Sequence, residues 1–261
     1  MPDKGVSEVL YKTIRKLMRE PLFDEFLLGG GTNLAIKHNH RVSTDIDLFS
    51  TDIVGTEKLN QICDHIAKTF GGDNVQISKQ NFESQQLAWV QIFLAKEEIK
   101  IDIIQNLKLL HEFETKDGIR LIHDIDIGSL KLLAAADRGH QKDFYDLYLL
   151  IQTIPLDVLY DTLRKRITTF SAERDKTIFD VTTNKPIETL EKDLTALGDF
   201  TRAGNKKKSG NRIVLTENSA KDLSWPVLRQ KWVEHVKEFA KARNLIFRET
   251  DSARKKGGFL L

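Results

Sequence analysis

Gly29-Gly30-Gly31-Thr32, followed further on by Ser43-Thr44-Asp45-Ile46-Asp47-Leu48-Phe49, is the stretch whose reading decides the fold. A strand repeats every two residues, so Asp45 and Asp47 belong on one face, with Ile46 and Leu48 on the other. Two carboxylates side by side repel each other. A divalent cation reconciles them, and Mg²⁺ typically takes one or two carboxylates together with the oxygens of a bound phosphate. The glycines upstream let backbone N–H groups come close to an anion. The pattern predicts a glycine turn, a short helix and a strand that together hold a metal–triphosphate.

Outward from this stretch the apolar periodicity sets the remaining elements. Val6, Val9, Leu10, Ile14 and Leu17 predict an amphipathic helix over 6–19, ended by Pro21. Residues 26–28 read as a short strand running into the glycine turn, and 32–37 as the short helix after it. A second amphipathic helix is predicted over 56–70, closed by Gly71-Gly72. Strands follow at 75–79, 87–94 and 99–105, the last two joined as a hairpin through Lys96-Glu97, with a short edge strand at 119–123. Beyond this the pattern turns helical, over 129–138, 142–153 and 156–197. Residues 201–219, rich in Gly, Asn, Ser and Lys, read as a linker or mobile loop. A last helix at 225–243 carries Trp225, Leu228, Trp232, Val236 and Phe239 on one stripe, a pattern that reads as core rather than as a base-stacking platform. The fold class expected is α+β, a small mixed sheet flanked by helices and followed by a helical half. The divisions expected are 1–126, 127–200 and 201–261.

The 261 residues, 40% hydrophobic and 30% charged, fit a globular protein of one large or two small domains. No apolar run approaches the roughly 20 residues of a membrane span. The start of the chain has no apolar segment of a signal peptide behind it. The single cysteine, Cys63, excludes an intrachain disulfide and fits a reducing, cytoplasmic setting. The net charge of +2 hides an asymmetry, because residues 200–261 hold 15 Lys/Arg against 6 Asp/Glu. The rest of the chain holds 25 against 32. A basic tail with the run Lys206-Lys207-Lys208 on an acidic body suits a polyanionic partner such as RNA; the other reading is a solvated tail.

A third carboxylate interrupts the strand Lys100-Ile101-Asp102-Ile103-Ile104. A carboxylate on a core strand is costly unless it is paired or coordinates a metal. If this strand lies beside the first, Asp45, Asp47 and Asp102 converge. Asp102 can then bind a second metal and take a proton from an attacking hydroxyl. The alternative is a carboxylate at an exposed strand end. His38 and His40 beside Asp45 and Asp47 match no zinc spacing. Asp124-Ile125-Asp126 repeats the paired form but reads as capping at a helix start.

The run from Gly30 to Phe49 resembles the opening motif of the AbiEii/AbiGii-type nucleotidyltransferase toxins, distant relatives of the DNA polymerase β-like nucleotidyltransferases. That motif is a Gly-Gly-Thr turn, a short helix, His40-Arg41-x-Ser43, then Asp45-Ile46-Asp47-Leu48-Phe49. Two later segments, residues 126–134 with Lys131 and 138–148 with Asp143 and Asp146, resemble the family's helical motifs. The resemblance covers about residues 20–155, and nothing beyond about 160 carries a recognised motif.

The resemblance implies a nucleotidyltransferase core over 1–126 and a helical domain completing the nucleotide site over 127–200. It implies Asp45, Asp47 and Asp102 as ligands of Mg²⁺ or Mn²⁺, with Asp102 as base. Gly30, Gly31 and Thr32 would cradle the triphosphate, Arg41 and Ser43 would touch phosphate or order the loop, and Lys131 would reach the phosphates. Asp143 and Asp146 would lie near the nucleotide, one of them fixing Lys131 or Arg138. The implied partners are an NTP, an RNA acceptor (for some relatives the tRNA 3′ end) and a separately encoded antitoxin, with no membrane involved. Two other readings are an antibiotic-type transferase and a binding module that has lost catalysis. A kinase is disfavoured by the missing His-Arg-Asp loop.

Overall fold

The computed structural model describes residues 4–182, 188–201, 213–217 and 223–250. Its elements run α1 (Glu8–Met18), β1 (Phe26–Leu28), α2 (Gly30–His38), β2 (Asp45–Ser50), α3 (Gly55–Phe70), β3 (Val75–Gln80), β4 (Trp89–Leu94), β5 (Ile99–Ile104), β6 (Glu114–Lys116) and β7 (Ile119–Leu121). Helices then follow as α4 (Asp124–Arg138), α5 (Gln141–Leu150), α6 (Leu156–Thr169), α7 (Ile178–Thr182), α8 (Glu188–Lys192) and α9 (Trp225–Ala242). The expected plan, a mixed sheet with flanking helices followed by a helical half, is the plan observed.

One seven-stranded sheet has the order β3-β4-β5-β2-β1-β7-β6. β2 pairs in parallel with β5, and β1 with β7; the other neighbours are antiparallel. Alternation sorts the side chains cleanly. Ile46, Leu48, Val90, Ile92, Ile101 and Ile103 enter one core under α1 and α3. The opposite face sends Leu27, Phe49 and Ile104 into a second core shared with α4, α5, α6 and α9. Trp232 is fully buried there and donates from Nε1 to Leu197 O at 2.8 Å, as the stripe predicts.

Three expectations need correction. The 119–123 strand is not an edge, because β6 covers it through a two-residue turn at Asp117 (φ 52°) and Gly118 (φ 79°). Asp-Gly is the chemistry of a tight hairpin turn, but β6 itself is short, exposed and without alternation. The helix after it begins at Asp124, with the imidazole of His123 as its cap, accepting from Ile125 N at 3.3 Å. Asp124 instead pairs with Lys37 and His38, and buried Asp126 accepts from Leu110 and His111 N–H at 3.0 Å. Finally, part of the supposed linker is pinned: Val42 N donates to Val214 O at 2.8 Å, Arg41 bridges Leu215, and Thr216 donates to Asn39 O. The apolar run at 213–215 was masked by its polar flanks. Lys206, Lys207 and Lys208 lie outside the described residues.

Candidate active site

The parallel register of β2 and β5 sets Asp47 opposite Asp102 and Asp45 opposite Lys100, all on the face away from α1 and α3. β4 extends the row with Gln91 opposite Asp102. Gln91 Nε2 donates to Asp102 Oδ1 at 3.0 Å, and Lys100 Nζ to Oδ2 at 2.7 Å. Asp47 is placed differently. No described donor reaches its carboxylate. Burial, with Asp102 beside it, pushes its carboxyl above the usual range; Lys100 opposes this and Asp45 adds to it.

The glycine turn lies directly over this carboxylate. Gly30 has φ +63°, and a Cβ there would be 1.9 Å from Asp47 Oδ2. Gly29 N donates to Asp47 O at 2.9 Å, locking the turn to the strand. A Cβ on Gly31 would fall 2.0 Å from Arg41 Nη2, so the bare backbone is what lets the guanidinium lie against the start of α2. Thr32 faces inward. Its buried hydroxyl is bonded to Ser43 Oγ at 2.8 Å and to Asp45 O, tying α2 to β2, and it does not line the pocket.

Behind the carboxylates, α4 and α5 contribute a buried ion network. Asp143 and Asp146, both at 0% exposure, share one helix face. Lys131 Nζ lies 2.8 Å from Asp143 Oδ1 and 2.7 Å from Asp146 Oδ2. Arg138 makes two bonds to Asp143, each 2.7 Å. Arg41 grips Asp146 at 2.6 and 2.8 Å, and His40 Nε2 reaches it at 2.7 Å. Burial opposes all of these charges, but the partners outweigh it. Arg138 and Lys131 hold the Asp143 carboxyl far below its usual value, and Arg41 and Lys131 do the same for Asp146. Two carboxylates against three cations leave one positive charge beside the Asp45–Asp47 edge.

Lys131, 6% exposed, is held by both carboxylates of the network and also lines the pocket. Asp143 and Asp146 hold cations and do not line the pocket. The pocket, about 720 Å³, is lined at one end by Gly30, Gly31, Asp45, Asp47, Asp102 and Arg138. Lys142 also lines it, with Nζ 3.7 Å from Asp45 Oδ2, and sequence reasoning missed it. Burial and the neighbouring Arg138 push its ammonium below the usual lysine value, while Asp45 pulls the other way. Lys142 follows Lys131 on the next helix and looks like an ordinary surface lysine in the sequence. Only its place beside Asp45 marks it.

The residues fit a divalent cation. Asp47 is a carboxylate without a donor, flanked by like charges, and Asp45 is held only loosely by Lys142. Among the described residues no three acidic, His or Cys side chains form a ready-made cage. Mg²⁺ needs none, because it completes its shell with substrate phosphate and water.

The chain matches the family described as "Nucleotidyl transferase AbiEii toxin, Type IV TA system" over residues 13–252. The uncharacterized protein aq_aa25 of Aquifex aeolicus (strain VF5) is 31% identical over 150 residues, 54% of this chain and 65% of that protein. The chain therefore spans less than two thirds of the length of this relative. Among solved structures, MenT4, nucleotidyltransferase toxin Rv2826c from Mycobacterium tuberculosis H37Rv, aligns at 13% identity and TM-score 0.43, covering 68% of this chain and 71% of that one. JHP933 from Helicobacter pylori aligns at 19% identity and TM-score 0.42, covering 92% and 98%. No described helix is long and apolar enough to cross a membrane. The family match runs through the glycine turn, all three strand carboxylates and both network helices, and on it the chain belongs to the AbiEii nucleotidyltransferase toxin family.

Proposed function

We propose that this chain moves a nucleoside monophosphate from an NTP to an acceptor hydroxyl, releasing pyrophosphate, with Mg²⁺ as cofactor. The observation that carries this reading is the register that sets Asp47 opposite Asp102 beneath the Gly30 turn. Asp45 and Asp47 would hold the metal, which neutralises charge on the triphosphate oxygens and on the leaving group. Gly30 and Gly31 bring bare backbone against the phosphates, and Arg138 and Lys142 add positive charge at the same end. Asp102, oriented by Gln91 and Lys100, accepts the proton of the attacking hydroxyl. A bond forms from that oxygen to the α-phosphorus, and the bridging bond to the β-phosphate breaks.

The acceptor we propose is RNA, including the tRNA 3′ end, in keeping with the excess of Lys/Arg over residues 200–261. The setting is the cytoplasm, as a toxin neutralised by its own antitoxin protein. Incubation with each α-labelled NTP, total RNA and Mg²⁺ tests this. Label should enter RNA with the wild-type chain, and should be absent from Asp45→Ala and Asp47→Ala variants that keep the native circular dichroism. Full labelling by either variant would remove the metal assignment.

A further inference from the structure

Beyond the carboxylates much of the pocket lining is apolar, with Asp137, Ser171, Thr177 and Asp180 interspersed. Phe49, Ile127, Leu130, Leu133, Phe170 and Phe179 line it. Phe49 and Phe179 face each other at 6.3 Å between ring centroids. Arg166 on α6 lines the same pocket, as do Arg138, Lys142 and Lys176. It makes no ion pair or hydrogen bond among the described residues, and its Nη1 is sealed from solvent. A guanidinium in apolar surroundings without an acceptor is costly, because the protein replaces none of the water it lost. Asp126 and Asp180 are near enough to favour its charge, but neither accepts a hydrogen bond from it, and Asp126 is taken by the Leu110 and His111 N–H groups. Asp180 is bonded to Thr177 through both its N–H and its hydroxyl, and Lys176 is paired with Glu173. The guanidinium carbon of Arg166 lies 5.8 Å from the centroid of the Phe170 ring, within reach of a cation–π contact.

We infer that the apolar end receives the nucleobase of the incoming NTP and that Arg166 determines which base is accepted. The inference rests on the nucleotidyl-transfer reading above and extends it to substrate choice. The triphosphate end is set by Asp45, Asp47 and Lys142, so the base points toward the aromatic end of the same cavity. Aromatic side chains pack against the face of any base. An arginine, in contrast, offers donors only, in a fixed planar fork. Guanine presents two adjacent acceptors at O6 and N7, and cytosine at O2 and N3. On adenine N1 and N7 each flank the N6 donor, and uracil separates its two carbonyls by the N3 donor. Arg166 therefore selects CTP and GTP over ATP and UTP.

The test is equilibrium binding of the four NTPs and of inorganic tripolyphosphate, in Mg²⁺ and without RNA, to wild-type, Arg166→Gln and Asp47→Asn chains. Omitting the acceptor assigns the effect to the NTP's own base. The wild-type chain should bind both CTP and GTP about tenfold or more tighter than ATP and UTP. Arg166→Gln should bring all four within about threefold while leaving tripolyphosphate binding unchanged. Asp47→Asn should weaken all five ligands alike. Equal binding of the four NTPs by the wild type would overturn the assignment of Arg166, and so would a selectivity that survives Arg166→Gln. Loss of tripolyphosphate binding in Arg166→Gln would make the residue merely structural and overturn it as well. No NTP binding by the wild type, or none altered by Asp47→Asn, would instead bring down the transfer reading beneath it.

Discussion

A methyl group at Gly30 would meet Asp47 Oδ2 at 1.9 Å on a backbone already at φ +63°. Gly30→Ala combines two separable effects. The positive φ costs about 1–2 kcal/mol in an L-residue, and the clash displaces the Asp47 carboxylate proposed to hold the metal. Transfer should fall about 100-fold, as expected for a displacement near 1 Å at a reacting centre. Gly71 supplies the control, since it has φ +87° and nothing within 4 Å of its added Cβ. Gly71→Ala should show the stability loss in a urea titration and keep full transfer. At this scale the sequence was legible where chemistry and period coincide: Asp45, Asp47 and Asp102 interrupt apolar strands on one face. For Thr32 and Lys131 residue type reveals a donor but not its partner, and here each partner lies on another element. Lys142 and Arg166 were invisible for the converse reason, being charged residues on helices whose surroundings only the fold supplies.

Asp143 and Asp146, three apart on α5, could be read as one face, and the face they share does hold Lys131 and Arg138. The arrival of Arg41 from the loop ahead of β2 could not be read, because a contact 105 residues apart leaves no local periodicity. The same holds for the β2–β5 register, whose parallel pairing is set by the core packed on both faces. Asp146→Asn should cost about 3–5 kcal/mol, the usual penalty for breaking a buried pair on one side, since Arg41 and Lys131 lose a shared counter-charge. The pH dependence has a definite sign. The folded carboxyls titrate below their ordinary value, so their stabilisation is fully present at neutral pH. It is lost as pH falls below about 4, where the unfolded groups take up protons first. Urea titrations should show the wild type weakening through that window, and Asp146→Asn weakening along a shallower slope.

Across the molecule, the second core is continuous from Leu27 and Phe49 beneath the site to Trp232 and Val236 on α9. The α/β half and the helical half thus share apolar contacts, and they should unfold together. Tryptophan fluorescence and far-ultraviolet circular dichroism should give coincident denaturation curves. Trp232→Ala should shift both curves by about 3–5 kcal/mol, with loss of the bond to Leu197 included. The Trp225–Phe239 stripe announced this helix, and its role as core, from the sequence alone. Its docking partner α5 was not legible, since any apolar helix face would complement such a stripe.

The clasp of residues 214–216 on Asn39–Val42 has a consequence for the order of synthesis. Asn39 and Thr216 are 177 residues apart, and Arg41 waits for Asp146 as well. A nascent chain that has released the glycine turn and all three strand carboxylates still lacks the α5 anchor of Arg41 and the backbone partner of Val42. Chains emerge from the amino terminus onward, so the loop next to the carboxylates gains its last support only when most of the polypeptide exists. The loop beside the carboxylates is therefore completed only after residue 216 has emerged, long after the carboxylates themselves.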